Sequence, residues 1–203
     1  MLSKRIFDIV CASIGLVVLA PLLLAVAAAI RFDSPGPVFF RQERVGRNGK
    51  LFRIFKFRTM RVDAEAKGQL TVGHDDRITR IGHVLRRCKA DELPQLLNVV
   101  LGDMSLVGPR PEVPRYVAHY PAAVRAAVLS VPPGITDWAS IRFKDENAML
   151  AAAGDPERQY IEEVLPIKLG YYLRYVRERS LLMDLRIIFA TLLEIFRPSR
   201  PSA

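Results

Sequence analysis

The longest apolar run in the chain, Ile9 to Ile30, holds 22 residues without a charge. As a straight helix it would be about 33 Å long, enough for a hydrocarbon core of about 30 Å. Two features argue against a simple span. Pro21 lies near the middle, where it removes a backbone donor and clashes with the carbonyl of Val17, so a bend or break is expected there. Lys4 and Arg5 precede the run while Arg31, Arg41, Arg44 and Arg47 follow it, and both flanks therefore claim the same side of a membrane. The expected element over residues 1–32 is a re-entrant helix–break–helix hairpin that dips into one leaflet and returns, with a proline-kinked full span as the alternative. A cleaved signal peptide fits poorly, because the run is too long for an h-region and no small-x-small site precedes a polar start.

Beyond residue 32 the pattern shortens. Asp33-Ser34-Pro35-Gly36-Pro37 is a turn cluster, Val38-Phe39-Phe40 opens a strand, and Gly46-Arg47-Asn48-Gly49 reads as a hairpin tip leading into a second strand, Leu51 to Thr59. Period two places Lys56 and Arg58 on one face of that strand and Phe55 and Phe57 on the other. Two cations over an apolar backing can hold a phosphate, although a solvated edge strand has the same spacing. From Ile78 to Leu101 the period is helical but interrupted. Val84, Leu85 and Cys88 oppose Arg86, Arg87 and Lys89; Pro94 then belongs in the first turn of a new helix, with Asp91 where an N-cap is expected and Gly102 as its stop. An aspartate so placed, downstream of three cations, has reasons to stay ionised and could serve as a nucleophile or divalent-cation ligand, or simply as a cap. Glu92 does not share its helix face, so the two carboxylates would divide roles rather than chelate together.

Arg110 stands between Pro109 and Pro111, which stiffen its loop. A planar guanidinium held in this way suits bidentate binding of a phosphate or diphosphate, the alternative being an incidental surface arginine. In the tail, Leu185, Ile188, Phe189, Leu192 and Phe196 share one helical face, with Asp184, Arg186, Glu194 and Arg197 on the other half. That helix could lie at a lipid interface or pack on the core.

Composition narrows the class. The 203 residues are half hydrophobic, with 30 Lys+Arg against 21 Asp+Glu, which excludes a disordered chain. Residues 1–60 contain 10 of those cations and 3 of the carboxylates, so the basic partner surface belongs to the N-terminal third. Cys11 and Cys88 lack CxxC or Cys/His spacing, which argues against a disulfide scaffold or zinc finger and fits a reducing compartment. Cys88 reads as a packed small apolar residue, and His74, His83 and His119 have no metal spacing. The expected fold is α+β, mostly helical with a small β-hairpin.

These signals coincide in one family. Lys4-Arg5-Ile6-Phe7-Asp8, Pro21, Phe39-Phe40-Arg41-Gln42-Glu43-Arg44-Val45-Gly46, Phe55-Lys56-Phe57-Arg58-Thr59-Met60, Asp91-Glu92-Leu93-Pro94-Gln95-Leu96 and the stretch Gly102 to Glu112 resemble, in order, the signatures of the bacterial sugar transferases, small monotopic phosphoglycosyl transferases. The resemblance implies transfer of a sugar 1-phosphate from a nucleotide diphosphate sugar, usually uridine-linked, to a polyprenol phosphate such as undecaprenyl phosphate, the first membrane step of glycan assembly. It implies Asp91 as the nucleophile of a covalent aspartyl-phosphosugar intermediate, Glu92 as its partner carboxylate, and Mg²⁺ held by Asp91. Arg110 carries over as a phosphate-binding residue, with Arg86, Lys56 and Arg58 as further candidates for that role. It also implies a catalytic domain, residues 33–203, on the cytoplasmic face of the bacterial inner membrane, with phospholipid but no nucleic acid as partner and a homo-oligomer left open. A non-enzymatic basic scaffold is the competing class, and it needs no carboxylate dyad. Two departures stand out. Ala20 precedes Pro21 where the family often has serine, and Asp137 and Ser140 replace a common glycine and glutamine, which bears on donor recognition.

Overall fold

The structure, a computed structural model, describes residues 2–62, 64 and 75–196. Helix α1 (Leu2–Asp33) is followed by four short strands, β1 (Phe39–Phe40), β2 (Glu43–Val45), β3 (Leu51–Arg53) and β4 (Lys56–Phe57). The expected hairpin forms: β2 pairs antiparallel with β3 around a tip in which Asn48 takes a left-handed φ of 58°, and β1 pairs antiparallel with β4. The second strand is broken at Ile54 and Phe55 and stops at Phe57, short of the expected Thr59. Helices α2 (Arg80–Arg87) and α3 (Gln95–Leu101) lead to β5 (Ser105–Val107). Short helices α4 (Pro114–Val117) and α5 (Ala122–Val128) precede β6 (Gly134–Thr136), which pairs parallel with β5. Then come α6 (Trp138–Arg142), α7 (Glu146–Ala151), α8 (Pro156–Gln159), a π turn, α9 (Leu165–Glu178) and α10 (Leu181–Phe196).

The β5–β6 approach is so close that only glycine fits. A Cβ on Gly134 would sit 2.0 Å from the Gly108 nitrogen. This contact fixes the chain just before Pro109-Arg110-Pro111. The main core lies beside it, where Val113, Tyr116, Val128, Leu150, Leu165 and Tyr172 pack together.

The break expected at Pro21 is not seen: α1 is one helix of 32 residues with Pro21 inside it. A proline in a helix interior forfeits a hydrogen bond, and here tertiary contacts hold both halves. Ala12 is buried against Phe52, Ile54, Val99 and Met104, while Ile30 packs on Phe57 and Leu85. Lys4 Nζ donates to Asp184 Oδ2 at 2.6 Å, Arg5 Nη1 to the Val99 carbonyl at 2.7 Å, and Ser105 Oγ to Asp8 Oδ2 at 2.7 Å. At the far end the Ile81 N–H donates to Asp33 Oδ2 at 3.2 Å. Both ends of α1 are therefore fastened to the same body, and Lys4 and Arg5 are engaged in tertiary contacts rather than left as flanking charges.

The tail differs from its helical-wheel reading in one respect. Asp184, placed by periodicity on the polar half of α10, is buried together with Ile187, while Leu185, Phe189 and Leu192 point outward and are about half exposed or more. Cys88 is likewise exposed rather than packed. His74 and Arg197 lie outside the described residues.

Candidate active site

Asp91 does not cap α3. It sits in a 3₁₀ turn, Ala90–Glu92, entered through Lys89 in the left-handed region (φ 56°), and Pro94 occupies the position before α3. The turn buries Asp91 to 2% exposure and carries Glu92 beside it. From β4, Lys56 reaches both carboxylates, with Nζ 2.8 Å from Asp91 Oδ2 and 3.3 Å from Glu92 Oε1. The different helix faces inferred from sequence thus converge on one ammonium.

Arg110 enters from the other side. Its Nη1 donates to Glu92 Oε2 at 3.2 Å and its Nη2 to Glu92 Oε1, a bidentate pair. The loop that carries it is pinned behind: Arg44 Nη1 donates to the Pro111 carbonyl at 2.9 Å, and the Tyr160 hydroxyl to Glu112 Oε1 at 2.7 Å. Burial alone would push the Glu92 carboxyl up, but the charges of Arg110 and Lys56 and the Arg110 hydrogen bond hold it well below the usual carboxylate range. In turn Glu92 holds the Arg110 guanidinium well above its ordinary value. Burial lowers Lys89 and Arg86.

Around these groups lies a polar cavity of about 450 Å³, within the size range of small-molecule sites. Lys56, Arg86, Arg87, Lys89, Arg110 and Lys144 line it together with Asp91 and Glu92. The cation excess on these walls suits a diphosphate. Of the residues singled out by sequence, Asp91, Glu92, Lys56, Arg86 and Arg110 come together here. Arg58 does not: its guanidinium donates to the carbonyls of Ser34, Pro35 and Pro37 at 2.7–2.8 Å, which ties down the loop leaving α1. The physical reason is that β4 ends at Phe57, so the alternation that would keep Arg58 beside Lys56 stops one residue too soon.

Two residues of this region, Lys168 and Asn98, were not anticipated as site residues, whereas Lys144 belongs to a stretch, residues 142–147, that the sequence offers as a contact for the nucleotide or the sugar. Lys168 is buried in the cavity wall, paired with Glu146 and with its ammonium 4.8 Å above the Tyr160 ring. A lysine on the apolar face shared by Leu165, Leu169 and Tyr172 was the available signal. Lys144 donates to the Glu194 carbonyl at 2.7 Å, joining the cavity wall to α10. Asn98 is fully buried in α3, where its Oδ1 accepts from the Phe55 N–H at 2.7 Å and its Nδ2 donates to the Arg53 carbonyl at 3.0 Å, which fixes the strand that delivers Lys56.

Asp137 caps α6, accepting from the N–H groups of Ala139 and Ser140 at 2.6 and 3.1 Å and from Ser140 Oγ at 2.6 Å. Burial nevertheless pushes its carboxyl up. The Asp137 and Ser140 departures therefore form one unit, with Ser140 at the cavity wall.

Among the described residues no three His, Cys, Asp or Glu converge as a metal cage. Mg²⁺ commonly binds through one or two carboxylates, waters and substrate phosphates. Of the neighbouring carboxylates Asp91 and Glu92 on the cavity wall, Glu92 is held by Arg110, and Asp91 is the one whose chemistry fits that mode.

Residues 1–198 match the bacterial sugar transferase family. The chain is 40% identical over 200 residues to UDP-glucose:undecaprenyl-phosphate glucose-1-phosphate transferase of Xanthomonas campestris pv. campestris, a match covering 96% of this chain and 39% of that protein. It is 40% identical over 192 residues to UDP-N-acetylgalactosamine-undecaprenyl-phosphate N-acetylgalactosaminephosphotransferase of Aeromonas hydrophila, covering 93% of this chain and 42% of that protein. It thus spans about two-fifths of the length of these two relatives. It is also 42% identical over 207 residues to exopolysaccharide production protein PSS of Rhizobium leguminosarum bv. phaseoli, with 94% of each chain covered. A match over nearly all its residues, together with signature positions that the fold gathers around one cavity, establishes that the chain belongs to the bacterial sugar transferase family.

Proposed function

We propose that this chain transfers a sugar 1-phosphate from a uridine diphosphate sugar to undecaprenyl phosphate by way of Asp91. The observation that carries the reading is the convergence of Asp91 and Glu92 on Lys56 within a cation-lined cavity. In the first step an Asp91 carboxylate oxygen attacks the sugar-linked phosphorus, the bond to the nucleotide breaks, and uridine monophosphate leaves. In the second, an oxygen of the acceptor phosphate attacks the same phosphorus, the bond to Asp91 breaks, and the polyprenol diphosphate sugar departs. Splitting the transfer lets one cavity serve a soluble donor and a lipid acceptor in turn.

Glu92 is a poor proton acceptor while Arg110 grips it. When the Arg110 guanidinium moves to an incoming phosphate, Glu92 loses the strongest charge that opposes its burial, Lys56 and Lys89 remaining, and its basicity rises, so phosphate arrival itself prepares the base. Lys56, Lys89 and Arg86 bind and orient the phosphates. Mg²⁺ brought in by the diphosphate and held at Asp91 would offset charge on the leaving nucleotide.

The outward face of α1 supplies the membrane seat. Val17, Val18, Leu24 and Phe32 are 70–90% exposed, and the helix is apolar enough to enter lipid. A straight helix of this length would reach about 48 Å, yet contacts with one body are made at both ends. This supports a monotopic seat at the inner leaflet of the cytoplasmic membrane, with α1 lying unbroken along the body and both its ends on the cytoplasmic side.

The test is incubation with a uridine diphosphate sugar radiolabelled in the sugar, without acceptor. Wild-type protein should acquire label and release uridine monophosphate, and Asp91→Asn should do neither. Undiminished labelling of Asp91→Asn would sink the mechanism, and no nucleotide release with any donor and acceptor would return the scaffold reading.

A further inference from the structure

A second cavity, of about 180 Å³, adjoins the first. The two share Arg87, Lys89, Glu92, Arg110, Ser140 and Lys144, so they meet at the Arg110–Glu92 pair. Their remaining walls differ in chemistry. Asp91, Arg86, Lys56, Asn147 and Lys168 face only the polar cavity, whereas Leu93, Leu96, Ile135 and Ile141, with Thr136, Thr191 and Glu194 at their edge, face only the smaller one. A carbon-lined pocket opening onto a phosphate-binding arginine matches a molecule with an anionic head and an apolar chain.

Its surroundings point to where such a chain would continue. Thr191 and Glu194 of α10 line the pocket, and the neighbouring Phe189, Leu192 and Leu193 on the same helix are 51–64% exposed. Leu96, on the opposite wall, is the side chain nearest Gly15 of α1, 3.3 Å from where a Cβ would stand. The pocket thus lies between the two helices whose outer faces are apolar. At this volume it holds only the start of a long chain, leaving the rest to lie along those faces in lipid.

Building on the reading above, we propose that this smaller cavity seats the first isoprenoid units of the acceptor, so that donor and acceptor occupy separate walls and meet at Glu92 and Arg110. The arrangement gives the two carboxylates their division of labour. Asp91 faces the donor cavity alone, while Glu92 borders both and is placed to take the proton of the acceptor phosphate.

The experiment uses the full chain in lipid nanodiscs and a farnesyl phosphate carrying a diazirine on its first isoprene unit. Turnover of undecaprenyl phosphate with a uridine diphosphate sugar is checked first, and its absence with every donor would overturn the functional reading, and this inference with it; a probe that neither turns over nor competes with that acceptor would overturn the inference alone. With turnover established, irradiation should place adducts on the segments containing Leu93 and Leu96 and containing Thr191 and Glu194. Adducts confined to the outer faces of α1 and α10, or found at Asn147 and Lys168, would overturn the inference alone. As an independent arm, Thr191→Phe fills the pocket. It should raise KM for undecaprenyl phosphate on the order of tenfold, with KM for the donor and the yield of labelled protein within about twofold of wild type. An unchanged acceptor KM in a variant that still labels, or a rise in donor KM instead, would refute it; if Thr191→Phe does not fold, the adduct map decides.

Discussion

Arg110 places its two terminal nitrogens on the two carboxylate oxygens of Glu92. A buried carboxylate in that grip is ionised across the neutral range, so kcat/KM for the acceptor should show no acidic limb above the ordinary value of 4.5. Arg110→Met removes the cation and keeps the bulk. The burial of Glu92 is then opposed by Lys56 and Lys89 without Arg110, its carboxyl rises, and the acidic limb should move to higher pH while kcat falls by about 10²-fold or more. A pH–rate profile of the variant against wild type checks this. An unmoved limb would mean that Arg110 does not govern Glu92.

Lys4 and Asp184 join the first turn of α1 to α10 across 180 residues of sequence, and Asp184 is 1% exposed. The Tyr175 hydroxyl completes the Asp184 shell at 2.8 Å. Removing one partner of a buried pair strands the other charge and costs about 3–5 kcal/mol. Lys4→Met should therefore lower the thermal midpoint by roughly 6–20 °C at the usual sensitivity for this chain length. The double variant Lys4→Met/Asp184→Leu should recover part of that loss, because the buried Asp8, 3.7 Å from Lys4 Nζ, keeps its charge, and a thermal-unfolding cycle of the four proteins in one detergent measures it.

What sequence reading reached, and what it missed, divide along the range of the physics involved. Asp91, Glu92 and Arg110 lie in short motifs whose local turns set their placement, and Gly102 ends α3 in the expected left-handed conformation (φ 99°). Lys56 and Arg58 share a motif and an alternation, yet one reaches the carboxylates and the other binds three carbonyls, because alternation holds only while a strand continues. Pro21 illustrates the same limit: a local rule called for a break, and the packing of Ala12 and Ile30 on one body outweighs it. Asp184 looked solvent-facing on its own helix and is buried because Lys4 comes from the other end of the chain. Partners so distant leave no periodic trace.

Asp137 offers a stability test with a definite sign. Burial raises its carboxyl above the ordinary value of 3.8 in the fold. The stabilisation from a group raised in this way is fully present below its unfolded value and is lost as pH rises through the folded one. In Asp137→Asn the side-chain amide oxygen could still accept from the N–H groups of Ala139 and Ser140 without carrying a charge. The thermal midpoint of wild type relative to Asp137→Asn should accordingly fall as pH is raised from about 4 to neutrality. A constant difference between the two proteins across that range would show that Asp137 stays ionised throughout.

The seating of α1 can be read from the side on which its ends emerge. A helix bonded to the same body through Lys4, Asp8 and Asp33 cannot deliver its two ends to opposite faces of a bilayer without breaking those bonds. In a background with Cys11 and Cys88 replaced by serine, Ser3→Cys and Ser34→Cys should therefore both react with a membrane-impermeant maleimide in inverted vesicles and both be protected in intact spheroplasts. Val17→Cys, 76% exposed in the isolated chain, should be protected in both because lipid covers it. Reaction of Ser3→Cys in spheroplasts with Ser34→Cys protected would instead require a full span, and with it the loss of the Lys4–Asp184 contact in the membrane.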